Sequence, residues 1–260
     1  MILNKNGIDM YINKMNCMLG IGVVLCADSL MASNQDTQTK SKPNVIIIYA
    51  DDLGYGDLEC YDAKNVSTPA VNELARNGIL FNNAHAVAAT STPSRYSLLT
   101  GEYAWRKQGT DVAAGDAGMI INPGQYTIAD MFKNSGYKTS VIGKWHLGLG
   151  AETGKQDWNA PLSTHPGDLG FDYSYIMAVF IENGMVANYD PSSPIEVSYS
   201  KPFLGEPLGC DHPELLYNLK PSHEHDKAIV NGISRFGYMK GGERLYGKTK
   251  ILLILSQHMP

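Results

Sequence analysis

The chain has 260 residues, enough to bury a substantial core in one large domain or two small ones. Hydrophobic residues make up 43% and charged residues 18%, a balance that excludes a disordered chain. A formal net charge of -5 excludes the broad basic footprint of a nucleic-acid binder, while leaving room for a local cationic pocket.

Near the start, Lys14 precedes an apolar run from Met18 to Leu25, and small and polar residues follow from Ala27 to Ser33. Positive, apolar, then small is the layout of a secretory signal peptide, so residues 1–33 are expected to be a leader and the mature protein secreted or periplasmic. The polar stretch before the run points to translation starting at Met10 or Met15. The run is too short for a helix that spans a bilayer, so no stable membrane span is expected. Residues 34–42 read as a polar linker. Cys17 and Cys26 fall in the leader. Cys60 and Cys210 fit no zinc or redox spacing; a bridge between them is open, with buried thiols as the preferred reading.

Asn44 to Ala50 is a continuous, β-branched run, the pattern of a strand buried on both faces of a parallel sheet. It ends in Asp51-Asp52-Leu53-Gly54, which places two carboxylates at the carboxyl end of that strand, where ligands and metals gather in open α/β sheets. Thr68-Pro69 starts a helix with a capping hydroxyl and an early proline, and Gly78 stops it. Ile79 to Phe81 reads as a short strand. Thr127 to Ser135 is a second helix with Ile128, Met131 and Phe132 on one face. Lys138 to Ile142 is another strand, running into Gly143-Lys144-Trp145-His146. Alternating strands and helices predict an α/β fold with a mostly parallel central sheet flanked by helices. Beyond Gly150 the pattern weakens: Ala151 to Pro166 reads as loop, Gly170 to Ile181 is mixed aromatic and apolar, and Asp190 to His225 reads as long surface loops.

Three segments carry chemistry. Ser91-Thr92-Pro93-Ser94-Arg95-Tyr96-Ser97-Leu98-Leu99-Thr100-Gly101 resembles the sulfatase signature, with its serine or cysteine, proline, arginine and closing Thr-Gly at the expected offsets. Gly143-Lys144-Trp145-His146-Leu147-Gly148 resembles the second sulfatase signature, and Asp51-Asp52 resembles the paired aspartates that hold a divalent cation in that family. The first segment is the sharpest, since several fixed positions must coincide in it; the other two alone are weak, a solvated lysine beside a packing histidine and an acidic turn. Their order and separations make the case, over about residues 42 to 235, with Gly170-Phe171-Asp172 as a fainter match.

The resemblance implies a serine-type sulfatase of the alkaline-phosphatase superfamily and an α/β fold of that type. It implies that Ser91 is oxidised to formylglycine, whose hydrate attacks sulfur and then expels sulfate as the aldehyde reforms. Arg95 and Lys144 would stabilise the hydrate and the sulfate oxygens, and His146 would help to move its proton. Asp51, Asp52 and Ser91 would bind calcium or another divalent metal. The implied partners are a sulfated sugar or aryl sulfate and an anaerobic-type sulfatase-maturating enzyme; no nucleic acid is expected.

The resemblance also predicts further metal ligands, and a histidine and lysine for the leaving group, that this sequence does not contain in recognisable form. Asp211-His212 and His223 to Asp226 have the wrong context for them. Residues 43–242 are therefore expected to be the N-terminal part of a catalytic domain, 243–260 an atypical, frameshifted tail, and the chain a truncated, inactive fragment. Two other functions stand beside the sulfatase reading: a phosphatase or phosphodiesterase of the same superfamily with unmodified Ser91, and a non-catalytic remnant.

Overall fold

A computed structural model describes residues 42–177, 180–216, 227–230, 233–234 and 237–241. The expected leader, all of the linker but Lys42, the His223–Asp226 segment and the tail at 243–260 lie outside the described residues. The chain divides into two compact units at His85/Ala86.

In the first unit, Pro69–Asn77 forms helix α1, with proline in its first turn and Gly78 at its end. Thr68 does not cap it as expected. Its hydroxyl instead accepts from the Glu59 amide at 3.0 Å, while the Glu59 carboxylate takes the Thr68 amide and the Asn72 side chain, each at 2.6 Å. A carboxylate that accepts a backbone N–H beside the first turn does the work of a cap from outside the helix. Those same bonds, the Thr68 amide first, hold the Glu59 carboxyl below its ordinary range.

The two strands expected in this unit do not form ladders. Phe81 is fixed through its carbonyl, which accepts from the Tyr61 hydroxyl at 2.8 Å. The run from Asn44 to Ala50 is exposed rather than buried, with Ile46 at 83% and Ile48 at 82%. A β-branched run becomes a strand only when a neighbour takes up its N–H and C=O groups. Among the described residues no strand pairs with it.

The second unit holds helices α2, Ser91–Thr100, and α3, Ile128–Asn134. Its main sheet has strands β1 (Ser140–Lys144), β2 (Tyr173–Met177), β3 (Ile181–Glu182) and β4 (Met185–Val186), hydrogen-bonded in that order. β1 and β2 are parallel, Ser140 opposite Tyr173 and Lys144 opposite Met177; the other two pairings are antiparallel. The fold is thus the expected α/β type, with a mixed sheet. β1 begins and ends two residues later than expected, so that Lys144 closes the strand itself. The loop-rich region after Asp190 contains β5, Glu196–Ser198, and a short turn of helix at Pro213–Leu215. Two further two-stranded ladders pair β5 with β8 (Tyr238–Lys240), and β6 (Ile229–Val230) with β7 (Ile233–Ser234). Cys60 and Cys210 are thiols outside any disulfide, the first partly buried and the second exposed, against the expectation that both are buried.

The core is built around Tyr96, Ile121, Leu147, Leu169, Ile176 and Ile181, all fully buried or within 1% of it. Along β2 the side chains alternate, Ser174 and Ile176 facing inward, as the two-residue period of a strand requires. α3 is tied to this core by a capping box. The Thr127 hydroxyl accepts from the amides of Ala129 and Asp130, at 3.1 and 3.3 Å, and the Asp130 carboxylate accepts from the Thr127 amide at 2.9 Å. The Thr127 hydroxyl also reaches the Leu169 carbonyl at 2.8 Å. Next to it, Gly170 has φ +90°, and a Cβ there would sit 2.6 Å from the Asp130 carboxylate, so only glycine fits.

Candidate active site

Ser91 is the first residue of α2. Its preceding residue, Thr90, makes no side-chain cap bond, so the positive end of the helix dipole is left at Ser91. One turn on, Arg95 turns back: its Nε donates to the Ser91 hydroxyl at 2.8 Å. The i, i+4 spacing of a helix is what brings the two side chains together. The other end of the guanidinium donates to the Lys144 carbonyl at 2.8 Å. Arg95 therefore joins the start of α2 to the end of β1, and its planar fork is suited to holding two acceptors at once.

A second tie lies beside it. Thr92, fully buried, donates through its hydroxyl to the His146 carbonyl at 2.9 Å and accepts the Ala113 amide at 3.0 Å. The His146 ring points to the same residue, with Nε2 3.0 Å from the Ala113 carbonyl. A carbonyl only accepts, so Nε2 carries the proton in this arrangement. His146 has φ +54°, a left-handed conformation uncommon for a side-chain-bearing residue and concentrated at functional positions. It makes the sharp turn by which the chain leaves β1.

Four of the six expected site residues, Ser91, Arg95, Lys144 and His146, are thus gathered at one place in the second unit. All four are partly buried rather than solvated, which strengthens any charge interaction they make. Asp51 and Asp52 belong to the first unit, where both are exposed and Asp52 has φ +55°. Thr92 and Ala113 were not anticipated from the sequence. Thr92 acts through a hydroxyl that nothing in the motif distinguishes, and Ala113 acts through its backbone, which carries no sequence signal.

Chemically, the second-unit cluster offers a hydroxyl at a helix start, a guanidinium bonded to it, an ammonium-bearing residue and an imidazole. That set suits an anionic ester: cations to draw off charge, an oxygen to attack, and a proton carrier. Among the described residues no group of three or more His, Cys, Asp or Glu side chains stands ready to hold a metal. Asp51 and Asp52 fit a hard cation such as calcium by donor type and fall short of its six to eight oxygens by number.

Comparison with known proteins agrees with this chemistry. The family model described as Sulfatase matches residues 43–236. The chain is 48% identical over 221 residues to an N-acetylgalactosamine-6-O-sulfatase of Bacteroides thetaiotaomicron, covering 82% of this chain and 43% of that protein. It is 36% identical over 168 residues to human arylsulfatase D, covering 62% and 27%. A solved structure concerned with the metabolism of multiple glycosaminoglycans by Bacteroides thetaiotaomicron superposes with a TM-score of 0.72 at 48% identity, covering 78% of this chain and 43% of that one. The chain thus spans less than half the length of the relatives it matches.

Proposed function

The chain belongs to the sulfatase family, and from that premise we propose that Ser91, Arg95, Lys144 and His146 serve the hydrolysis of a sulfate ester carried on a sugar. The observation that carries the reading is the bond from Arg95 to the Ser91 hydroxyl, which sets a cation on the oxygen that the family signature marks as reactive. The sulfated sugar follows from the 48%-identical relative, named for N-acetylgalactosamine-6-O-sulfate chemistry.

Formylglycine at position 91 and a divalent metal, both general in the family, would supply a nucleophilic oxygen with its own exit for sulfate, and charge neutralisation. Asp51 and Asp52 are the residues that would contribute oxygens to that metal. Arg95 holds the oxygen of residue 91 in place and offsets negative charge as the sulfate approaches. The helix start adds a fixed partial positive charge at the same point. Lys144, at the end of β1, brings a second cation for the sulfate oxygens. His146 is the group able to carry a proton near neutral pH, and Ala113 fixes which ring nitrogen bears it. The protein would act outside the cytoplasm, after maturation by an anaerobic-type enzyme.

The test is a peptide mass for the segment around Ser91 after co-expression with such a maturating enzyme, alongside sulfate release from 6-O-sulfated N-acetylgalactosamine. Loss of two hydrogens at Ser91 is expected, and any sulfate release should disappear in Ser91→Ala. An unmodified serine with hydrolysis of phosphate esters would make the chain a phosphatase. An unmodified serine with neither reaction would make it a non-catalytic remnant.

A further inference from the structure

One concavity of the second unit shares a wall with the cluster just described. It has a volume of ≈490 Å³, within the range of about 300–1,000 Å³ that small-molecule sites occupy. It does not contain Ser91, Arg95, Lys144 or His146. One of its lining residues is Ala113, whose carbonyl takes the His146 ring and whose amide is held by Thr92. It therefore lies one hydrogen bond from both the nucleophile helix and the imidazole.

Its walls are fastened on every side. Lys107 spans it, with Nζ donating to the Ile120 carbonyl at 2.7 Å and lying over the Tyr96 ring at 5.3 Å. The Thr110 hydroxyl bonds the carbonyls of Ala104 and Lys107, at 2.7 and 2.9 Å. The opposite wall, Ala117 to Ile120, pairs with the segment that follows His146: Met119 N to Gly150 O, Ile120 N to Leu147 O and Leu149 N to Ala117 O, each at 2.9 Å. Gly148 has φ +74° and backs so closely onto Gly118 that no Cβ fits between them. Gln156, outside the lining, braces the wall from behind, its amide nitrogen lying 2.7–3.2 Å from the carbonyls of Asp116, Ala117, Leu149 and Glu152. Such a site is organised before any ligand arrives.

The lining sorts its ligand by charge. Asp111 accepts from hydroxyl or amide donors and offsets the charge of Lys107, so the lining carries no net charge to attract a sulfate, and Lys107 is held by Ile120 and Tyr96. Thr153 adds a hydroxyl, and Val112 and Met119 offer apolar surface for the C–H face of a ring. We propose that this concavity binds the uncharged sugar ring of the substrate, with Asp111 as a specificity-determining residue and Gln156 as a positioning residue. The sulfate would then be directed out of it, toward Arg95 and Lys144. The proposal rests on the sulfated-sugar reading and adds where the neutral part of the ester sits.

The test uses the full 260-residue chain, isotope-labelled, with unsulfated N-acetylgalactosamine as the probe. The sugar should shift the backbone amide resonances of Val112, Gly118 and Thr153. Asp111→Ala should weaken its binding about tenfold or more, the scale of one lost hydrogen bond to a carboxylate. Ala151→Trp, at an exposed rim position, should block binding with the spectrum otherwise intact. Inorganic sulfate should leave the same three resonances unmoved. Absence of shifts at these amides in a well-dispersed spectrum, indifference to both variants, or displacement of the sugar by sulfate would overturn the proposal. Binding of an unsulfated sugar needs neither a modified Ser91 nor turnover, so a failed hydrolysis assay leaves this readout standing.

Discussion

At the scale of single residues, the site depends on a few side chains that each hold two partners. Arg95 holds Ser91 and the end of β1; Thr92 holds the His146 carbonyl and the Ala113 amide. Thr92→Val keeps the shape and removes both bonds, taking the Thr92 hydroxyl from a partly buried N–H and a partly buried C=O. That should cost about 1–3 kcal/mol of stability, read from urea unfolding, and a loss below about 0.5 kcal/mol would show that Thr92 is not structural. The contrast between these two residues shows what the sequence made legible. Ser91, Arg95, Lys144 and His146 are legible because their chemistry fixes residue type at fixed spacing. Thr92 sits inside the same motif and was passed over, because a hydroxyl that bonds only backbone groups can be recognised only once the distant segments are in place.

At the scale of elements, caps and turns were the most readable features and strand partners the least. α3 starts where the sequence placed it, and its capping box, Thr127 with Asp130, is built from local chemistry alone. Thr68 misled, because a residue nine positions earlier, Glu59, took over its hydroxyl and amide. Asp172, the fainter motif match, proves to be the fastener between β1 and β2. Its carboxylate accepts the Thr139 amide at 3.0 Å and pairs with Lys133 at 3.2 Å, and its own amide donates to the Thr139 hydroxyl at 3.0 Å. The Thr139 amide first, and then Lys133, hold its carboxyl below the ordinary range. A carboxyl lowered in the folded state stabilises above the ordinary carboxylate pKa of about 4, and that stabilisation is lost as pH falls through the folded value. Asp172→Asn should therefore lower stability at neutral pH and flatten the acid limb of the stability curve. Parallel acid limbs for the two proteins, measured by denaturant titration between about pH 6 and 2, would remove Asp172 from this role.

At the scale of the whole molecule, the exposed run in the first unit decides behaviour in solution. Val45, Ile46, Ile47, Ile48 and Tyr49 are 41–83% exposed, five consecutive apolar residues where a soluble surface scatters such groups singly. The run has the β-branched composition of a strand and, among the described residues, no ladder neighbour. An exposed, β-branched, apolar run of this kind is a template on which a second chain can add. The family relatives are more than twice as long as the stretch matched here. The chain should therefore self-associate with rising concentration, and the association should pass through this run rather than through the capped helices or the ladders of the second unit. Ile46→Lys with Ile48→Lys places two charges on the most exposed positions and touches no residue of the proposed site. In light scattering across a concentration series, the double variant should stay at the monomer mass where the parent grows. If both proteins associate alike, the sticky surface lies elsewhere. If neither does, the run is not a template at all, and its apolar character has to be explained by something other than a missing strand neighbour.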